Sequence, residues 1–196
     1  MKISGARGAR ARWLAGTLGV TAALGLGGAP VLATVVDHEH FEGTDHFVNT
    51  ECGFALDVNG TFSGHTVIRA TKGGQAFLGT TTSRYSDVYT NTQTKKFFVV
   101  RGKTLFKELH ATHVEGNIYE FEAIEAGQPF VLEDADGNVV VRDRGVIRYR
   151  ALFDTLGDGQ PSAELVENLS AVLHGPHEGF SDDFDFCAIA AELTGA

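Results

Sequence analysis

Between about residue 55 and residue 174, apolar and polar side chains exchange places at every second position, and this period limits the possible folds more than any other feature. Phe62, Thr66 and Ile68 alternate with Ser63, His65 and Arg69. Tyr119, Phe121 and Ala123 alternate with Glu120 and Glu122, and Ile147, Tyr149, Ala151 and Phe153 alternate with Arg148 and Arg150. Successive side chains of a strand point to opposite faces, so these runs read as strands with one wet and one buried face. Turn chemistry separates them at Lys72-Gly73-Gly74, Thr90-Asn91-Thr92, Glu115-Gly116-Asn117, Ala126-Gly127-Gln128, Asp136-Gly137 and Asp143-Arg144-Gly145. Short strands at this spacing, with no helical pattern between them, predict an antiparallel meander. A meander of seven or eight strands leaves two open edges, and closure removes both. The expected fold is therefore mainly β, a small antiparallel up-and-down barrel of about eight strands. A two-sheet sandwich is the alternative.

The C-terminal end follows another rule. Ala163 to Leu173 fits a helix face or a strand and is read as the last stave of the barrel. Beyond it the period turns helical, with Phe186, Ile189, Ala190 and Leu193 at i, i+3, i+4 and i+7. Ser181 is the expected N-cap, with Asp182 and Asp183 in the first turn, where the helix dipole favours them. Cys52 and Cys187 are the only cysteines, and an even pair in an exported chain predicts a disulfide. No CxxC spacing supports a redox pair. The bridge would close a loop of about 135 residues, contribute about 4–5 kcal/mol on the chain-entropy account, and tether the C-terminal helix to the start of the first strand.

Export is read from residues 1–33. Lys2, Arg7, Arg10 and Arg12 form a basic start, Leu14 to Leu26 an apolar run, and Ala29 to Ala33 a small-residue stretch suited to cleavage after Ala33. About 13 residues interrupted by glycine fall short of the roughly 20 that a spanning helix needs. The arginines are not adjacent, which excludes a twin-arginine signal, and no Cys near the cut offers a lipid attachment site. The expectation is secretion by a Sec-type signal peptide, with no membrane anchor after cleavage. Residues 34–50 then read as an acidic, His-rich arm and 51–196 as one domain, a monomer. The whole chain carries a net charge of −9, and removing its basic start makes the remainder more acidic. That sign excludes nucleic acid and anionic lipid surfaces as partners.

Candidate chemistry is sparse. His38, His40 and His46 stand among Asp37, Glu42 and Asp45, residue types that suit divalent metals. Their spacing matches no closed structural site, so no metal and no cofactor is assigned. Asp134-Ala135-Asp136-Gly137-Asn138 resembles the start of a calcium loop but has its Gly in the wrong place, and Asp-Gly between two apolar runs is a hairpin turn. The loop Asp154 to Gly159 and the pair His174 and His177 lack further ligands. No catalytic motif is present, which leaves enzymatic activity undecided. By parity His65 faces outward, whereas His113 shares a face with Leu105, Leu109 and Ala111 and points inward.

An eight-stranded barrel is wide enough to hold one small ligand. Tyr85, Tyr119, Phe121 and Tyr149, with Phe153 and His113, would line it as an apolar wall carrying a few polar groups, the usual composition of small-molecule pockets. The leading expectation is a secreted barrel binding a small apolar or amphipathic molecule. One alternative is a solid-core interaction or inhibitor protein with an extracellular protein partner. Another is a cofactorless barrel enzyme in which His113 is the inward ionisable group.

The order of features supports one resemblance. A signal peptide and acidic arm precede a Cys that opens the first strand; a Gly145-Val146-Ile147-Arg148-Tyr149 strand is followed by Asp154 and Gly157; and Asp185-Phe186-Cys187 begins the last helix. In this the chain resembles a group of uncharacterised secreted proteins of actinobacteria. The resemblance implies secretion and a single disulfide-closed domain, and no activity. More distantly the layout is similar to lipocalin-type and allene-oxide-cyclase-type barrels, a likeness of fold that implies no function.

Overall fold

The computed structural model describes residues 34–71 and 73–196; the export signal read at 1–33 lies outside them. The alternating runs form the strands β2 (Leu56–Ala70), β3 (Phe77–Asn91), β4 (Phe97–Glu115), β5 (Ile118–Glu133), β6 (Val139–Arg142), β7 (Gly145–Asp154) and β8 (Glu164–His174). The segment read as an arm is also a strand, β1 (Val35–Asn49), paired along its length with β2. Its period was hidden because an edge strand exposed on both faces needs no apolar alternation. All pairings are antiparallel, in the order β1-β2-β3-β4-β5-β7-β8, with β6 also on β5.

The sheet does not close into a barrel. β1 and β8 end the order and do not pair with each other. The apolar side chains are buried by covering parts of one face instead. In register, Val58 stands opposite Tyr89, Tyr89 opposite Phe98, and Val100 opposite Leu132. Over this patch lies α1 (Phe186–Thr194), whose Phe186, Ile189, Ala190 and Leu193 pack against the buried Leu56, Val58, Phe98, Val100, Leu132 and Val141. Far along the same face, Ala76 in the β2–β3 connection covers Tyr119 and Phe121. Each large apolar side chain so buried contributes about 1.5–3 kcal/mol.

The helix is held at both ends. Cys187 in its first turn is bridged to Cys52 in the β1–β2 connection. The N-cap is Asp185, whose carboxylate accepts from the Ala188 N–H at 2.9 Å. Ser181 to Asp183 lie before it, so the expected cap at Ser181 is displaced by four residues, to the acidic residue directly preceding the apolar stripe. At the other end Thr94 Oγ1 donates to the Thr194 carbonyl at 2.7 Å. Asn91, itself buried, accepts from the N–H groups of Gln93 and Thr94 at 2.8 and 3.1 Å.

Most predicted turns join strands as expected. Asp134 to Asn138 is the β5–β6 hairpin, with Gly137 at φ 84° and Asp134 accepting from the N–H groups of Asp136 and Asn138. Ala126-Gly127-Gln128 is not a turn. It lies within β5 beside a bulge, where β4 advances from Arg101 to Lys103 while β5 moves from Val131 to Gln128. A Cβ on Gly127 would come within 2.5 Å of the Lys103 carbonyl, and its φ is +130°. This glycine serves a close approach of two strands inside the sheet.

Candidate metal centre

The β1–β2 register places His40 directly opposite His65 and His38 opposite Val67. The two-residue period of a strand puts His38 and His40 on one face, so all three imidazoles meet. Ring centroids are 4.4 Å apart for His40 and His65, 4.5 Å for His38 and His65, and 5.1 Å for His38 and His40. One ligand nitrogen from each lies within 4.8 Å of the others. The cluster stands on the face opposite Leu56 and Val58, away from α1.

Two aromatic–glycine pairs hold this register. On the helix side of the sheet Phe41 pairs with Gly64, and Gly43 with Phe62. A Cβ on Gly64 would lie 2.2 Å from the Phe41 ring, and one on Gly43 2.5 Å from the Phe62 ring. Each ring therefore rests on a bare glycine, a device that pins strands in register. A slip of one residue would send every β1 side chain to the other face and scatter the cluster.

The electrostatics suit ligation. His38 and His40 are exposed, while the Nε2 of His65 is buried and has no hydrogen-bond partner. Burial first, then the neighbouring His40 and His38, lowers the His65 pKa below the usual imidazole range. The ring is thus held in its neutral form, the form that has a lone pair to give a metal. The third histidine of the segment is used otherwise, since His46 Nε2 contacts Asp57 Oδ1 at 2.6 Å. Three imidazoles suit Zn²⁺, Cu²⁺ or Ni²⁺, whereas hard ions such as Ca²⁺ take oxygen. Three protein ligands also leave a coordination position free for water or another donor.

The residues expected to line an interior share the helix-side face, but they do not form one pocket. Tyr85 donates to the Pro129 carbonyl at 2.9 Å, Tyr149 to Glu125 at 3.1 Å and Tyr119 to Gln75 at 3.1 Å. Phe121 packs edge-to-face on Phe153 at 5.3 Å. These hydroxyls serve the fold, and an open sheet encloses no barrel interior. His113 does share the face of Tyr119, 5.1 Å away, but it is exposed at the end of the β4–β5 hairpin, where Nε2 is 3.0 Å from the Gly116 carbonyl. A bulge between Glu108 and His110 puts Leu105 on the opposite face, so parity counted through it fails.

Parity turns His65 outward, but only the β1–β2 register joins it to His38 and His40. The signal available was the His-x-His spacing, which is a ligand pair only once the segment is known to be a strand. No family model, no curated protein and no solved structure matches the chain.

Proposed function

We propose that this is an exported metal-binding protein whose site is His38, His40 and His65, taking a borderline divalent ion of the Zn²⁺, Cu²⁺ or Ni²⁺ class. The observation that carries the reading is the convergence of His38, His40 and His65, one ligand nitrogen of each within 4.8 Å of the others, in a cluster where the His65 Nε2 is buried and unpartnered. Export is supported by the Cys52–Cys187 disulfide, since such bonds persist in oxidising compartments.

Calorimetric titration of the purified protein with Zn²⁺ tests this. One ion per chain is expected. His65→Ala should weaken binding by at least about 100-fold, because even outer-shell partners of metal ligands contribute about 10–100-fold. His46→Ala, which removes a histidine engaged with Asp57, should leave affinity unchanged. Equal losses in the two variants, or no binding by the parent, would refute the site.

A second reading keeps the small apolar or amphipathic molecule expected from sequence. It is supported by an open groove of about 910 Å³ across β1 to β5, where Leu105 and Ala126 lie among His40, Arg84 and Lys103. Native mass spectrometry of freshly purified protein would detect such a ligand as an added mass, and an unliganded spectrum counts against it.

A further inference from the structure

β8 ends the sheet with all of its 11 residues exposed. Leu165, Val166, Leu169, Val172 and Leu173 are each 38–54% open to solvent. Its register on β7 sets Leu165 beside Phe153 and Leu173 beside Ile147, so these leucines extend the apolar face beyond the last covered strand. Edges are normally guarded by Lys, Pro, inward charges or β-bulges; β8 contains no Lys, Arg or Pro, and its two bulges fall between Leu165 and Ser170, leaving both ends regular.

The order of residues in β8 identifies what covers it. Counting outward from Leu169, the two ends match: Leu165 meets Leu173, and Glu164 meets His174. We infer that β8 pairs antiparallel with β8 of a second copy, about a twofold axis at Leu169, joining the two sheets into one. An isologous contact requires a self-complementary patch, and the two ends of this strand supply one. Leu165 and Leu173 lie on the same face, beside Phe153 and Ile147, while Glu164 and His174 lie on the other, beside Asp154 and Val146. Both ends of the paired segment therefore bring aliphatic to aliphatic and carboxylate to imidazole. Between them Val166 and Leu169 are the extra residues of two bulges against β7, so pairing is most regular at the ends.

Charge excludes several competing registers. Centring the axis on Glu167 or Glu164 sets that carboxylate against its own copy, and centring it between Leu165 and Val166 sets Glu164 against Glu167. Like charges directly opposite destabilise a ladder, and the Leu169 register avoids all three clashes. It also supplies each Glu164 with a His174. The other edge, β1, carries Asp37, Glu39, Glu42 and Asp45 and would repel Glu164 and Glu167, which disfavours open-ended β1–β8 association. A dimer replaces the monomer suggested by sequence alone.

Sedimentation equilibrium in EDTA, which removes any metal-bridged species, should give twice the monomer mass. Leu169→Lys places two ammonium groups at the axis and should give the monomer mass with an unchanged circular dichroism spectrum. Glu164→Lys should weaken the dimer, and adding His174→Glu should restore it, a rescue that a misfolded protein would not show. Oxidised Leu169→Cys should form a disulfide-linked dimer. A monomer at all concentrations, a dimer that survives Leu169→Lys, or cross-linking through Val48→Cys on β1 in place of Leu169→Cys would overturn the inference.

Discussion

The Tyr85 hydroxyl reaches the Pro129 carbonyl at 2.9 Å by lying across Gly102. A Cβ on Gly102 would meet the Tyr85 ring at 2.4 Å and the Pro129 carbonyl oxygen at 2.5 Å. The backbone oxygen cannot turn aside as a flexible side chain could. The bulge in β5 and the absence of a side chain on β4 thus create a single arrangement that seats Tyr85 against the core patch under α1.

Gly102→Ala should therefore destabilise the protein by about 1–3 kcal/mol, the range for forcing extra atoms into a packed site. Urea unfolding measures it. An unchanged midpoint would mean that Tyr85 is not held as described.

The disulfide should dominate the stability of the C-terminal end. Cys52 and Cys187 are 135 residues apart in sequence, and a loop of that size corresponds to about 5 kcal/mol on the chain-entropy account. Cys52→Ser/Cys187→Ser should lower the thermal midpoint sharply and release α1, whose Phe186 packs edge-on against Tyr89 and Phe98 at 5.7 and 5.8 Å. The parent protein in reductant should behave as the double variant does. A midpoint insensitive to reductant would contradict this.

Asp87 faces the helix side of the sheet opposite Gly60, where a Cβ would approach Asp87 Oδ1 to 2.5 Å. Burial, then the charge of Asp45, raises its pKa above the usual carboxylate range. A raised folded-state pKa means that the native state holds the proton more tightly than the unfolded chain. Its contribution is therefore most favourable below the ordinary Asp value and is lost as pH rises through the raised one. Asp87→Asn should stabilise the protein at about pH 7 and lose that advantage at about pH 3, below the ordinary Asp pKa. Thermal melts at the two values check it, and an equal shift at both would exclude the electrostatic cause.

The elements legible from sequence were those set by local chemistry. β5 and β7 alternate because each has one covered face, and the Asp136-Gly137 turn needs only its own four or five residues. β1 was not legible, because exposure on both faces removes the apolar period by which a strand is recognised. Gly127 reads as a turn because a glycine required by a crossing carbonyl looks, in one dimension, like a glycine required by a reversal. His113 and Leu105 were assigned one face because counting by twos has no means of registering the extra residue in β4.

Sequence alone determined that the chain is an antiparallel β meander, that its last turns form a helix with Phe186, Ile189, Ala190 and Leu193 inward, and that Cys52 joins Cys187. Each of these depends on side-chain period or on there being a single possible partner. That the sheet stays open, that Phe41 and Phe62 lock β1 in place, and that His65 meets His38 and His40 are outcomes of tertiary packing. Closure and register depend on how whole strands twist and slide against one another, and no stretch of residues read by itself contains that information.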